Sequence, residues 1–129
     1  MGNPSKRIGT RAETKVARYL TEHGLPTVRK ALAGSADEGD LRMLSKDGTE
    51  VAVEVKAGKQ TSNPSRSQLA EWQRQTLAES LNSGCPAVLI IVRYRRLFDD
   101  SEVWIPTEEW GERGWTMVHI DDYAEEMGG

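Results

Sequence analysis

The 129-residue sequence predicts an α/β fold whose elements run helix, three strands, helix, strand. Three observations carry that prediction. The stretch from Gly34 to Lys59 alternates apolar and polar residues on both sides of Lys46-Asp47-Gly48, as a β-hairpin does. Two segments, about Thr10 to Glu22 and about Ser65 to Asn82, repeat apolar residues at helical spacing, and each is followed by a glycine, Gly24 or Gly84. Val88 to Val92 is an unbroken apolar run, the mark of a strand buried on both faces.

Met1 to Ile8 reads as a loose basic arm that holds Lys6 and Arg7. In the first helix, Ala12, Val16, Tyr19, Leu20 and His23 form the inner stripe, while Arg11, Lys15 and Arg18 cluster elsewhere. Glu13 lies on the flank of the inner stripe, where it could look toward a site at the hairpin. Thr10 and Glu13 also have the spacing of a capping box, which would explain the glutamate by itself. A first strand follows over Leu25 to Leu32, and a small-residue loop, Ala33 to Gly39, delivers Asp40 to the second strand.

The hairpin register follows from its side chains, because a slip of one residue would exchange the core and surface faces. With a three-residue loop, Lys46 to Gly48, and Gly48 left-handed, Ser45 pairs with Thr49. Met43 then faces Val51 and Leu41 faces Val53, with Val55 on the same apolar side. The same register sets Asp40 across from Glu54, and Lys56 points the same way two residues on. Opposed carboxylates repel unless a cation or a proton lies between them. A hard divalent ion, Mg²⁺ or Mn²⁺, meets that need, and Lys56 could orient a water or stabilise charge on a phosphate under attack. The plainer reading makes Glu54 and Lys56 the solvent face of an ordinary strand.

Asn63-Pro64 starts the second helix, which is expected to bury Leu69, Trp72, Thr76, Leu77 and Leu81. Ser65 and Gln68 have capping-box spacing, so Gln68 is either part of a cap or a DNA contact. Arg93, Arg95 and Arg96 leave the last core strand as a basic cluster, a candidate phosphate contact. Beyond Leu97 the sequence suggests a turn at Asp99-Asp100, short strands at Glu102 to Ile105 and Thr116 to Ile120, and one helical turn at Thr107 to Trp110. Trp104, Trp110 and Trp115 could stack on bases or serve as core or interface.

Composition limits what such a chain can do. One cysteine, Cys85, excludes an internal disulfide and a cysteine zinc cluster, and suits a reducing cytoplasm. With only His23 and His119, a histidine-rich metal site is not expected, and no apolar run is long enough to span a membrane. The net charge of -3 hides an asymmetry: residues 1–96 hold 16 Lys and Arg against 10 Asp and Glu, and residues 97–129 hold 1 against 10. A basic body suits a polyanion partner, with the acidic tail lying away, masking it, or simply aiding solubility.

The order of elements, with Gly9 and Glu13 on the first helix, Val28-Arg29, Gly34-Ser35, Gly39-Asp40 and Val53-Glu54-Val55-Lys56, resembles the PD-(D/E)XK nuclease superfamily. Within it the likeness is to the archaeal-type Holliday junction resolvases and their phage and bacterial relatives. The resemblance covers roughly Lys6 to Tyr94. It implies a restriction-endonuclease-like αβββαβ core, a mixed central sheet flanked by helices. Residues 1–129 then form a single nuclease domain, with a core of about 6–96 and a C-terminal acidic extension over 97–129. Asp40, Glu54 and the Val55 carbonyl would be Mg²⁺ or Mn²⁺ ligands, Glu13 would complete the acidic cluster, Lys56 would position the attacking water, and Ser35 would contact the scissile region. Lys6, Arg7, Arg11, Arg29, Lys30, Lys59 and Gln68 are the expected DNA-binding residues.

The implied activity is phosphodiester hydrolysis in four-way or other branched DNA by a homodimer, in the cytoplasm of a prokaryote or encoded by a phage. Gly39 stands where the superfamily has proline before the acid, and the segment after Leu97 is not explained by the resemblance. Three other readings remain: a relative acting on linear, flapped or nicked DNA, a catalytically silent DNA-binding protein of the same fold, and an interaction module that uses the acidic, tryptophan-rich tail.

Overall fold

The computed structural model describes residues 4–29 and 41–128. A helix α1, Pro4–Glu22, leads into strand β1, Thr27–Arg29, and the hairpin β2, Leu41–Leu44, and β3, Glu50–Lys56. Helix α2, Arg66–Ser83, crosses to β4, Ala87–Ile91, which is followed by the hairpin β5, Glu102–Glu109, and β6, Glu112–His119, and by helix α3, Ile120–Gly128. The six strands form one mixed sheet in chain order, in which only the β3–β4 pair is parallel.

The expected hairpin register is the observed one. Leu41 pairs with Val53 and Met43 with Val51. Ser45 N–H bonds the Thr49 carbonyl at 2.8 Å, and Gly48 takes φ 89°. The Ser45 hydroxyl and the Thr49 N–H both bond Asp47, which lowers its carboxyl pKa to about 2. A carboxyl whose folded pKa is depressed supports the fold above the ordinary carboxylate range. This support from Asp47 is lost as the pH falls toward 2.

The sheet separates two apolar layers. On one face Leu41, Met43, Val51, Val53 and Val55 meet Ala12, Val16 and Leu20 of α1. On the other, Leu89 and Ile91 meet Trp72 of α2, with Leu69 and Trp104 packed around them. Helix α2 starts on Ser65, whose hydroxyl accepts the Gln68 N–H at 3.1 Å, and ends on Gly84 at φ 72°. Of its expected inner stripe, Trp72 and Thr76 are buried, Leu69 and Leu77 are half-buried, and the far end departs altogether. Leu81 is 86% exposed and Glu79 is buried instead. The cause lies across the sheet, where the buried Arg42 of β2 holds Glu79 at 3.1 Å.

The N-terminal expectation is also corrected. Helix α1 begins at Pro4, whose fixed φ and missing N–H suit a first turn. The supposed loose arm is therefore helical from Pro4, and Thr10 is an interior residue whose carbonyl accepts the Thr14 hydroxyl at 2.9 Å. Of the expected inner stripe, Ala12, Val16 and Leu20 are buried, Tyr19 is half-buried, and His23 is exposed and stacked on Tyr19 at 4.1 Å.

The acidic segment is not an extension. Strands β5 and β6 continue the sheet beyond β4, and Val103, Ile120, Tyr123 and Ala124 belong to the same apolar layer as α1. Burial of Tyr123, and to a smaller degree the charge of Glu126, push its phenol pKa up to about 12. At the C-terminal end of α3, a Cβ on Gly128 would collide with the His23 carbonyl oxygen, so a glycine permits the close approach of α3 to the end of α1. A strand as apolar as β4 needs hydrogen-bonded neighbours on both edges, and β5 supplies the second. Removal of the segment would strip two strands and part of the core.

The helical turn expected at Thr107 to Trp110 is instead the end of β5 and the start of a two-residue hairpin turn, Trp110-Gly111. Trp110 has φ 56° and is 99% exposed. Two-residue turns with both φ positive favour asparagine before glycine. Trp110→Asn is accordingly expected to raise stability by ~0.5–1 kcal/mol, measured by urea denaturation. A fall in stability would contradict the strain assigned to this turn.

Candidate active site

The alternation of β3 divides its side chains between the two layers. With Val51, Val53 and Val55 committed to the α1 face, Glu54 and Lys56 fall on the opposite face, the one covered by α2. Their side chains are 15% and 21% exposed, and Lys56 Nζ lies 3.4 Å from Glu54 Oε1. They are thus half-sheltered and reachable. The plainer reading of this pair as an open solvent face does not hold. Above them on α2, Glu71 has its pKa lowered, first by hydrogen bonds from Arg74 and, to a smaller degree, by the charge of Lys56.

The strand directions bring the candidate residues to one end of the sheet. Glu54 and Lys56 close β3 beside Leu89 and Ile91 of β4, so both strands of the parallel pair end here. In open α/β sheets, ligands bind outside the carboxyl ends of such strands. Because β2 is antiparallel to β3 and β1 to β2, β2 begins at this end and β1 finishes at it, with Arg29 opposite Leu41. Arg29 Nη2 lies 3.1 Å from Oε2 of Glu13, whose side chain is 14% exposed. The salt bridge therefore anchors α1 where the chain enters residues 30–40. Thr10 lies well inside α1, so the capping explanation of Glu13 drops out.

The loop after Lys56 is pinned by a buried threonine that no motif in the sequence singles out. Gly58 takes φ 91°, and the chain makes a short 3₁₀ turn at Lys59–Thr61. The Thr61 hydroxyl is 2.8 Å from the Gly58 carbonyl and 3.1 Å from that of Val92, and it accepts the Tyr94 N–H at 2.8 Å. One side chain thus fastens the turn after β3 to the end of β4. Thr61→Val would remove these bonds and leave the Tyr94 N–H without its acceptor. We expect a loss of ~1–3 kcal/mol in urea denaturation, with faster hydrogen exchange at the Tyr94 amide. Unchanged exchange there would rule out the pinning role.

Other expected residues divide into three groups. Asp40, Ser35 and Lys30 lie outside the described residues, as do the side chains of Lys6 and Arg7. Arg11 and Lys59 are exposed and Gln68 is half-buried, with the Ser65 cap accounting for its backbone N–H but not for its side chain. Arg29 is 57% exposed but engaged with Glu13. Among the described residues no three His, Cys, Asp or Glu side chains come together in a group able to hold a metal ion. The donors that the described residues supply at this end are carboxylate oxygens, the type that a hard divalent ion prefers.

No protein-family model matches the chain, and no curated protein sequence does. Among solved structures, it matches Archaeoglobus fulgidus Hjc, a Holliday junction resolvase from an archaeal hyperthermophile, with a TM-score of 0.57 at 18% identity. The match covers 90% of this chain and 99% of that one. The chain has the fold of an archaeal Holliday junction resolvase. This is a PD-(D/E)XK fold. Among the described residues no helix is long and apolar enough to cross a membrane.

Proposed function

We propose that the protein is a metal-dependent DNA endonuclease that hydrolyses phosphodiester bonds in branched DNA, a reading supported by the fold it shares with a Holliday junction resolvase. One observation carries the reading: Glu54 and Lys56, 3.4 Å apart and half-sheltered, close a strand at the carboxyl end of the parallel pair. The register of β2 on β3 supports it, since Leu41 pairs with Val53 as required for Asp40 to oppose Glu54. The oxygen donors fit Mg²⁺ or Mn²⁺, which Asp40, Glu54, the Val55 carbonyl and Glu13 would hold.

Such an ion, when bound, supplies Lewis-acid stabilisation of phosphoryl oxygens and lowers the pKa of water. The chain's own residues do the rest. Glu54 holds the Lys56 ammonium near the reacting phosphate, where it orients the attacking water and offsets the charge that builds on the phosphate. Ser35 contacts the scissile region. Glu13, tied to Arg29, keeps α1 against the entry to the 30–40 segment. Lys6, Arg7, Arg11, Arg29, Lys30, Lys59 and Gln68 contact the DNA, and two copies of the chain cut two strands.

The test compares Mg²⁺-dependent cleavage of a synthetic four-way junction with that of linear duplex built from the same arms, for wild type and Asp40→Asn. Paired symmetric cuts in the junction alone, abolished in the variant, are the expected result. Equal cutting of both DNAs would assign the site to a nuclease of another substrate class. Inert wild type that still binds the junction would replace the endonuclease with a binding protein of this fold.

A further inference from the structure

The sheet end that carries Lys56 also carries an arginine cluster that the proposed function does not use. After β4 the first of them, Arg93, is already committed. Its Nη1 lies 3.2 Å from Glu102 Oε2, and its Nη2 donates to the Ser62 carbonyl at 3.1 Å. Arg95 and Arg96 follow and are exposed, as is Lys59 on the neighbouring turn. Among the described residues, neither Arg95 nor Arg96 forms an ion pair, although Asp99 and Asp100 follow closely in the chain.

The backbone here is unusual. Arg95 has φ 58°, a left-handed conformation that residues with a Cβ adopt at a cost and that glycine or asparagine adopts readily. The conformation is held from both sides. Tyr94 N–H bonds the buried Thr61 hydroxyl at 2.8 Å, and Arg96 N–H bonds the Arg93 carbonyl at 3.2 Å. The Arg95 guanidinium lies 5.3 Å from the centre of the Tyr94 ring. The turn thus carries a long cation where local geometry favours a small residue. Strain of this kind collects where a side chain has a task.

The two turns are joined to each other and to the candidate site. Val92 N–H bonds the Lys56 carbonyl at 2.8 Å, and Thr61 links the turn after β3 to the turn after β4. On α1, Lys15 Nζ sits 4.9 Å from the ring of Phe98, two residues beyond Arg96, in a mixed setting where Asp99 and Asp121 also act on the neighbouring Tyr19. The acidic tip of the β5–β6 hairpin lies at the opposite end of the sheet. Exposed cations strung along turns suit a row of phosphates better than a small anion, which would need an enclosing pocket.

We propose that Arg95 and Arg96, together with Lys59, form an arm that grips the nucleic-acid phosphate backbone beside Lys56. The proposal rests on the reading of this sheet end as a nuclease site, and it adds the surface that holds the strand there. Arg93 is the residue of the cluster that does not take part, because Glu102 neutralises it.

The experiment measures the salt dependence of binding to a four-way junction and to duplex, by fluorescence anisotropy in EDTA, for the full chain. Arg95→Gly accepts the same backbone conformation, so Arg95→Gly/Arg96→Gln should fold as wild type does. Arg96→Gln alone serves as the second variant, and Arg113→Gln, at the other end of the sheet, is the control. The log–log salt slope should fall by about 1 for each phosphate that is no longer neutralised, hence by about 2 in the double variant and about 1 in the single, on both DNAs. The control should keep the wild-type slope.

Wild-type slopes in the double and single variants would overturn the proposal, as would a wild type that binds neither DNA. If cleavage is intact but the slopes do not change, the arm is wrong and the nuclease reading stands. If the wild type is inert with Mg²⁺ yet the slopes fall as expected, the nuclease reading fails and the arm stands.

Discussion

Glu54→Gln should lower Mg²⁺-dependent cleavage of a four-way junction by about 10³-fold, a typical cost of removing one group that stabilises a charged transition state. The substitution keeps the side chain's size and removes its charge, which takes away both a metal ligand and the ionic partner of Lys56. Folding should change little. The pair is sheltered, at 21% and 15% exposure, but glutamine keeps an amide oxygen able to accept from Lys56, so the loss should stay at ~1 kcal/mol. Single-turnover cleavage, junction binding in EDTA and urea denaturation, measured together, separate these effects. Activity within about tenfold of wild type, with binding intact, would remove Glu54 from the site and leave the β3 pair as a structural feature.

The largest stability effect is expected on the α2 face of the sheet, at the pair formed by Arg42 and Glu79. Both side chains are buried, at 9% and 3% exposure, and Arg42 Nη2 lies 3.1 Å from Glu79 Oε1. Arg42 also has Glu50 at 3.6 Å, but that carboxylate is 52% exposed. Glu79→Ala would leave a buried guanidinium without its close carboxylate, held by the distant, solvated Glu50 and by the Leu41 carbonyl, which accepts from its Nη1 at 3.3 Å. Breaking a buried pair from one side typically costs ~3–5 kcal/mol, and the residual contact to Glu50 places the expected loss near ~3 kcal/mol.

The paired replacement should behave differently. Arg42→Met with Glu79→Leu removes both charges and fills the space with apolar atoms, so its stability should lie within ~1 kcal/mol of wild type. Urea denaturation of the two single variants and the double variant gives the coupling energy. If Glu79→Ala loses less than about 1 kcal/mol, water must reach Arg42, and the pair is not what holds α2 to β2.

Much of this protein was legible in its sequence. The hairpin register followed from the alternation of Leu41, Met43, Val51 and Val53 about Gly48, because a period of two leaves only one arrangement with a wholly apolar face. The limits of α2 followed from Ser65 and Gly84, whose capping chemistry is local. The placement of Glu54 and Lys56 on a single face followed from the same alternation, which also brought the family resemblance and so the expected fold. Each of these rests on neighbours within a few residues.

What the sequence left open depended on distant partners. Glu79 displaced Leu81 from the buried stripe because Arg42 waited on a strand 37 positions earlier in the chain, and no helical period contains that information. Thr61 belongs to no sequence motif, and its role exists only once folding brings Val92 and Tyr94 within reach of its hydroxyl. The acidic segment read as a tail because its charge masked a strand alternation that is valuable only beside β4. Its place in the sheet was decided by the edge hydrogen bonds of β4 and by the surface that Ile120 and Tyr123 cover, neither of which exists before the chain has folded.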